Sequence, residues 1–406
     1  LKQNLAHVFS RPTSPIWMDA STRLECDEIR EALGGLQSTT EATGSTTFER
    51  FTGPQIRKFY KESPEVYDQT AHITLISAFM ASILSGTLAP IDHGDGAGMN
   101  LMDIRRRQWH MGALDATAPE LADRLPPLAE SWRIIGPIHS YFVLKYGFDP
   151  DTQTLTWSGD NPNSVVGLGL IQEGMVAISL GTSDTYFGTM AACKTDPRGE
   201  GHVFVSPTGD YMSLICFKNG SLAREAIKNQ FHLTWDSFSQ ALKASPPGNN
   251  GKILLPFFET EIVPRVATPG IHRFDLEKSD GKGHCRAVVE AQMMSMRLHA
   301  NWMGVSPSAI YATGGASVNT EILQVMADVH NCPVHQFKVT NSAALGAALR
   351  AAHAYGSGSG SSRTWSDVVA GFAEPEPDSV IAPQNAAVYG DLMKKYADCE
   401  KTAIGA

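Results

Sequence analysis

Three times after residue 150, the chain ends a short apolar run on glycine and a small polar residue. Thr154–Trp157 leads into Ser158-Gly159-Asp160-Asn161-Pro162, Met175–Leu180 into Gly181-Thr182-Ser183, and Ala309–Thr313 into Gly314-Gly315-Ala316-Ser317-Val318-Asn319. Short runs bounded by turn formers read as strands. Glycine at such a point lets the backbone approach a ligand, and the amides that follow can bind phosphate oxygens. Helical patterns alternate with these strands at Ser164–Gln172, Asn219–Gln230, His284–Met303, Asn319–His330 and Ser342–Ala354. Alternation of this kind predicts an α/β domain, with ligands at the ends of its strands.

No GxxxxGK[ST] occurs, so none of the loops is a Walker A loop. Gly167-Leu168-Gly169 lacks the third glycine of a dinucleotide fingerprint, which argues against a dehydrogenase. Three glycine loops in one α/β domain favour a nucleotide site instead. The length of 406 residues predicts two or three domains. The pattern changes near residue 151, so 1–150 and 151–406 are the expected domains. Apolar residues make up 42% and charged residues 18%, which favours a large core over long disorder. With 33 Lys and Arg against 42 Asp and Glu, the net charge is −9. Such a chain has no general electrostatic reason to bind nucleic acid or an anionic membrane. A polyanionic ligand would need local neutralisation by a metal or by aimed backbone N–H groups.

Cys26, Cys193, Cys216, Cys285, Cys332 and Cys399 form no CxxC and no zinc-spaced cluster with histidine. No metal-ligating residue is therefore assigned, and the thiols read as core residues of a reducing, cytoplasmic compartment. The opening LKQNLAHVFSRPTSP has no apolar stretch of the signal-peptide kind. Ala71–Pro90 lacks Asp, Glu, Lys and Arg but is diluted by His, Ser, Thr and Gly. Its large residues Ile73, Ile76, Phe79, Met80, Ile83 and Leu84 fall on one side, so it reads as a buried core helix rather than a membrane span.

Further local expectations follow from end signals and periodicity. Ser21–Leu33 reads as a helix with a capping Ser and with Gly34-Gly35 after it. Pro54–Tyr60 reads as a helix opening on Pro, and residues 89–100 as a Gly/Asp loop. His202–Ser206 and Tyr211–Phe217 form a hairpin around Thr208-Gly209-Asp210. Cys285, Val289, Met293, Met296, Ala300 and Met303 recur on one helical face, which is core packing rather than a cofactor site. Val334–Val339 reads as a strand, Gly356–Ser362 as a flexible surface loop and Val388–Glu400 as a closing helix.

Asp160 differs from the other loop residues. A carboxylate held at a strand end could accept the proton of a substrate hydroxyl as a general base. Asp followed by Pro162 equally suits a helix start. The combined pattern resembles the FGGY carbohydrate kinases. It includes Pro15-Ile16-Trp17-Met18-Asp19, Asp92 to Asn100 with Asp103 and Trp109 beyond, Ser179-Leu180-Gly181-Thr182-Ser183, Ala312-Thr313-Gly314-Gly315-Ala316-Ser317-Val318-Asn319 and Ala344-Leu345-Gly346-Ala347-Ala348. Glu49-Arg50-Phe51-Thr52-Gly53, Gly98-Met99-Asn100-Leu101, Ser158-Gly159-Asp160-Asn161-Pro162 and Cys216-Phe217-Lys218-Asn219-Gly220-Ser221 resemble in particular the eukaryotic-type xylulose kinases. The resemblance runs from about residue 15 to 350.

The resemblance implies a ribonuclease-H-like, actin-type α/β fold with two domains around a cleft. Residues 1–150 would be the remainder of the sugar-binding domain and 151–406 the nucleotide-binding domain. It implies ATP-dependent transfer, with Mg²⁺, to the 5-hydroxyl of D-xylulose, the domains closing over the sugar to exclude water. By the same resemblance Asp160 is the catalytic base, and Arg50, Asp160 and Asn161 contact the sugar. Thr182 and Ser183 belong to a phosphate loop, Gly314, Gly315, Ala316 and Asn319 to the adenosine site, and Trp235 lies near the adenine. Without the resemblance, Arg50 reads as a surface partner of Glu49 and Trp235 as a core residue of Trp235–Leu242. Asp19 and Asp92 lie in the family motifs and could as easily cap turns. The family's opening DxGT-type loop and Gln-His-Gly segment are not found in this sequence, so an N-terminally incomplete kinase is expected. That departure keeps open a non-catalytic sugar- and nucleotide-binding member, or a kinase for another ketopentose. An actin-like or chaperone-type ATPase shares the fold but needs neither Asp160-Asn161 nor Arg50. The expected partners are a ketopentose and ATP, and a homodimer is compatible with this reading.

Overall fold

The computed structural model describes every residue except 1, 6, 338–340, 359–362, 377 and 406. The chain forms two compact units. One gathers Leu1–Val166, Ala192–Tyr211 and Ala343–Val368; the other gathers Gly167–Ala191, Met212–Ser342 and Val369–Ala406.

The second unit is organised by a sheet in which Val334–Gln336, Ala309–Thr313, Met175–Leu180, Asp184–Met190 and Tyr211–Phe217 lie side by side in that order. Ala309–Thr313 runs parallel to both of its neighbours, whereas Met175–Leu180 and Asp184–Met190 are antiparallel, with Leu180 opposite Asp184. Val176, Ala177, Ile178 and Leu180 are all buried. A nearly continuous apolar run is what a strand covered on both faces requires.

The helix Gly281–Ala300 packs against Ser221–Gln230, Trp235–Ala244, Thr320–His330 and Tyr389–Ile404. The expected stripe from Cys285 to Met303 is buried along its length, but so are Ala287, Val288, Ala291 and Met294 around it. The helix is wrapped on several sides, and periodicity marked only its most apolar positions. The last expected strand is seen at Val334–Gln336, while residues 338 and 339 lie outside the described residues. The helix opening at Ser342 runs to Gly358, into the stretch read as a loop, and 359–362 lie outside the described residues. The closing helix spans Tyr389–Ile404.

In the first unit, Arg23–Ala32, Thr52–Glu62 and Met111–Thr117 pack against one another around Ile56, Phe59, Tyr67, Met99, Leu101 and Leu114. Ile91–Asp92 pairs in parallel with Leu128–Ala129. Several start signals resolve differently from expectation. Thr22, not Ser21, precedes the helix Arg23–Ala32, and its hydroxyl donates to the Glu49 carbonyl at 2.6 Å instead of capping. Pro54 lies third in Thr52–Glu62, still within the first turn, where a missing N–H leaves no bond unmade. Residues 89–100 are not a loop: a short helix, His93–Gly98, follows Ile91–Asp92, and Asp92 caps it by accepting the Asp95 N–H at 2.8 Å. Space selects the glycines there. A Cβ on Gly96 would stand 2.6 Å from a Leu128 methyl, and one on Gly94 2.9 Å from the Pro162 ring.

The helix Ile76–Ser85 inverts the expected face. Ala78 and Ala81 are fully buried, while Ile76 is 69% exposed. Small residues form the inner face because the neighbouring backbone comes close, so size rather than hydropathy sets the orientation. Among the described residues no helix is long and apolar enough to cross a membrane. The turn after His202–Val205 closes through the Ser206 N–H donating to the Asp210 carbonyl at 2.9 Å. Cys26, Cys193, Cys285, Cys332 and Cys399 are free thiols.

Candidate active site

The candidate residues fall into two sets, each carried by its own unit. In the first unit Asp160 opens the helix Asp160–Gly167, so the helix start signalled by Pro162 forms. This does not occupy the carboxylate: Asp160 and Asn161 are both exposed, and Asp160 Oδ1 accepts only a local bond from the Asn161 N–H, at 2.8 Å. The loop is tied down on both sides of Asp160. The Gly159 N–H donates to Asp95 Oδ1 at 2.9 Å, and Asn163 Nδ2 donates to the Ser158 carbonyl at 3.1 Å. A Cβ on Gly159 would lie 2.6 Å from Asp95 Oδ1, which makes glycine obligatory here for space. The Ser77 hydroxyl donates to the other oxygen of Asp95.

Beside this floor lies Arg350, buried on the helix Ser342–Gly358. Its Nε donates to Asn163 Oδ1 at 3.1 Å, and its Nη1 donates to the carbonyls of Ser131 and Thr156. Burial, and then the charge of Asp92, push the Asp95 carboxyl up to about 7, while Ser77, Gly159 and Arg350 oppose the rise. Burial raises Asp92 as well, and burial lowers Arg350. The charge of one guanidinium thus acts on two carboxyls, both raised by desolvation. Sequence reasoning missed Asp95 and Arg350. A carboxylate between glycines within Asp92–Asn100 was the available signal.

Arg50, also in the first unit, is exposed, with its guanidinium 5.5 Å from the Trp17 ring centre and 5.7 Å from that of Phe48. Among the described residues it makes no ion pair with Glu49. It lines a 550 Å³ cavity with Trp17, Gln55 and His72, and neither Asp160 nor Asn161 is part of that lining. Asp19 accepts the Ser21 N–H at 2.9 Å, a local turn.

In the second unit Gly181-Thr182-Ser183 turns the chain between two antiparallel strands, and Thr182 and Ser183 are exposed. The Ser221 N–H donates to the Gly181 carbonyl at 2.9 Å. Gly314 has φ +84°, and a Cβ there would stand 2.7 Å from the Leu180 carbonyl oxygen. Both the left-handed backbone and the close approach demand glycine. The end of Met175–Leu180 thereby brings the second and third glycine loops together.

These loops too have a charged floor. Arg224 donates to both oxygens of Asp184, at 2.8 and 3.0 Å, and to Gln292 Oε1 at 2.7 Å. Gln292 Nε2 reaches the carbonyls of Asn219 and Gly220 at 2.7 and 2.9 Å. Burial pushes Asp184 up, opposed chiefly by the Arg224 charge. No motif in the sequence announced this pair.

Gly315 has open space where a side chain would stand, and Ala316 follows it in the same short turn. Asn319 Oδ1 caps Thr320–His330 by accepting the Glu321 N–H at 3.1 Å, and its Nδ2 donates to Ser239 Oγ at 2.7 Å. Ser239 stands on the helix Trp235–Ala244, so the third glycine loop is tied to the helix that carries Trp235. Trp235 is 45% exposed and edge-on to Phe238, with Lys228 Nζ 5.3 Å from its ring centre. The core positions of this helix are Phe238, Ala241 and Leu242, not Trp235. Among the described residues no three His, Cys, Asp or Glu side chains converge as a metal cage. The second unit thus offers exposed amides and hydroxyls suited to a polyphosphate, and the first an exposed carboxylate on a fixed loop.

Residues 13–167 match the N-terminal domain, and residues 176–355 the C-terminal domain, of the FGGY family of carbohydrate kinases. The xylulose kinase of Rattus norvegicus is 42% identical over 415 aligned positions, covering 100% of this chain and 76% of the relative. Xylulose kinase 2 of Arabidopsis thaliana is 44% identical, covering 87% of this chain and 67% of the relative. Among solved structures, the ligand-bound xylulose kinase of Lactobacillus acidophilus superposes with a TM-score of 0.81 at 23% identity, over 96% of this chain and 79% of the other. The glycerol kinase of Plasmodium falciparum with ADP superposes with a TM-score of 0.79 at 17% identity, over 98% and 80%. At these identities the structures show the fold, which is the α/β, actin-type fold of the sugar kinases.

Proposed function

The chain belongs to the FGGY family of carbohydrate kinases, and on that footing we propose that it transfers the γ-phosphoryl group of ATP to the 5-hydroxyl of D-xylulose. The choice of sugar is supported by the rat and plant relatives, which are named xylulose kinases. The observation that carries the catalytic reading is Asp160, an exposed carboxylate on a loop whose preceding amide is anchored to the half-buried Asp95.

Phosphoryl transfer needs little covalent participation from the protein; catalysis is positioning and charge stabilisation. Asp160 accepts the proton of the sugar hydroxyl as its oxygen attacks phosphorus, and Asn161 and Arg50 hold the sugar. Thr182 and Ser183 bind the phosphates through hydroxyls and amides. Gly314, Gly315, Ala316 and Asn319 accommodate the adenosine, where the open space over Gly315 is needed, and Trp235 takes the adenine. Mg²⁺ is commonly held by nucleotide phosphates with one or two carboxylates. We take it to enter with the nucleotide, as Mg·ATP. The free thiols of Cys26, Cys193, Cys285, Cys332 and Cys399 suit a reducing cytoplasm.

The test is ADP release from Mg·ATP with D-xylulose, D-ribulose or glycerol as acceptor. Release that depends on D-xylulose, with phosphate recovered at C5, is expected. Release independent of any sugar would replace this reading with an ATPase, and preference for D-ribulose would replace the substrate.

A further inference from the structure

We propose that Asp95 and Arg350 are positioning residues for Asp160: Asp95 fixes the Gly159–Asp160 peptide, and Arg350 fixes the first turn of the helix that Asp160 opens. The inference rests on the reading of Asp160 as the base. Asp95 holds the amide one residue before Asp160 at 2.9 Å, and its own carboxylate is held from the far side by Ser77 on the helix Ile76–Ser85. Arg350 holds Asn163, three residues after Asp160, at 3.1 Å and ties it to the carbonyls of Ser131 and Thr156. The glycines match this arrangement. A Cβ on Gly159 would stand 2.6 Å from Asp95 Oδ1, and one on Gly94 2.9 Å from the Pro162 ring. The short helix His93–Gly98 is therefore seated directly under Gly159-Asp160-Asn161-Pro162.

Asp160 is thus exposed, while its orientation is set by the half-buried Asp95 and the buried Asn163 and Arg350. A peptide plane held by this acceptor cannot rotate without breaking the Gly159 N–H bond to the Asp95 carboxyl. The titratable groups facing Asp95 are Asp92 from the preceding strand and Arg350 from the helix behind it. Ser77 and Gly159, from the other two elements, contribute only neutral donors.

The test uses the full chain carrying Asp95→Ala, Asp95→Asn, Gly159→Ala or both Asp95→Ala and Gly159→Ala. A base displaced by about 1 Å costs on the order of 100-fold, so Asp95→Ala and Gly159→Ala should each lower kcat by about that factor. KM for sugar and for ATP should stay within about twofold, since positioning is felt mainly in the transition state. Asp95→Asn keeps an acceptor for the Gly159 amide and should recover to within about fivefold of the parent. The double variant should be no worse than either single, because one contact is being removed twice. Hydrogen exchange over residues 155–167, read in the same variants, should accelerate in Asp95→Ala and not in Asp95→Asn. This second readout needs no turnover. A chain with no sugar-dependent ADP release would overturn the kinase reading while the exchange data still judged the Asp95 contact. Unchanged exchange at 155–167, additive losses in the double variant, or loss of kcat and KM together without rescue by Asn would each overturn the inference.

Discussion

The two glycine loops at the heart of the proposed reaction stand on different foundations. Under Gly181-Thr182-Ser183, Arg224 grips Asp184 through both oxygens, a one-to-one pair with Gln292 completing it. Under Gly159-Asp160-Asn161, one guanidinium serves two carboxyls, and Arg350 spends its bonds on Asn163 and two carbonyls rather than on Asp92 or Asp95. Direct pairing makes a rigid floor whose loss leaves an uncompensated charge. Indirect pairing leaves a floor that can take up a proton. The loop proposed for the phosphates stands on a direct ion pair, and the loop proposed for the acceptor stands on carboxyls that burial raises.

The largest effect should come from breaking the direct pair. Arg224→Met leaves Asp184 buried without its cation and should cost about 3–5 kcal/mol, read as a lowered urea midpoint. Next is Gly314→Ala, which meets the Leu180 backbone at 2.7 Å with φ at +84°. It should cost about 2 kcal/mol and weaken ATP binding measured by calorimetry. On the acceptor side, Asp95→Asn should stabilise the chain by about 1–2 kcal/mol above neutral pH. The sign follows from the raised carboxyl. The native state binds its proton more tightly than the unfolded chain, so stability falls as pH climbs from about 4 through about 7, and the penalty is complete above that. Melting temperatures of parent and Asp95→Asn should converge at about pH 4 and separate at about pH 8; parallel curves would break the contrast between the two floors. The smallest effect is Trp235→Ala, a loss of about 1 kcal/mol of ring stacking, seen as a rise of about fivefold in KM for ATP and none in KM for sugar.

What the sequence displayed and what it concealed divide along similar lines. Strands ending in glycine were legible because a buried strand is nearly all apolar and its end needs special backbone geometry, as at Met175–Leu180 and Gly314. Asp160 was legible because a carboxylate interrupts that pattern. Orientation was not. Ile76–Ser85 looked apolar on its large-residue side, yet packs through Ala78 and Ala81, since close approach favours small side chains. Residues 89–100 looked like a loop because glycine marks turns, whereas here it marks crowding by Leu128 and Pro162. Buried ion pairs between distant residues leave no local period, so Asp184 with Arg224, 40 positions apart, went unseen. Arg350 and Asn163, 187 apart, escaped for the same reason.

The central claim is that the Asp160 carboxylate takes the proton of the sugar hydroxyl. Asp160→Asn, nearly isosteric, tests it most directly when D-xylulose-dependent ADP release and ATP binding are measured on the same sample. Removing a general base costs about 10²–10⁴-fold. The account predicts a loss of that order in release, with ATP affinity unchanged. Release at the parent rate, or an equal loss of ATP binding, would contradict it.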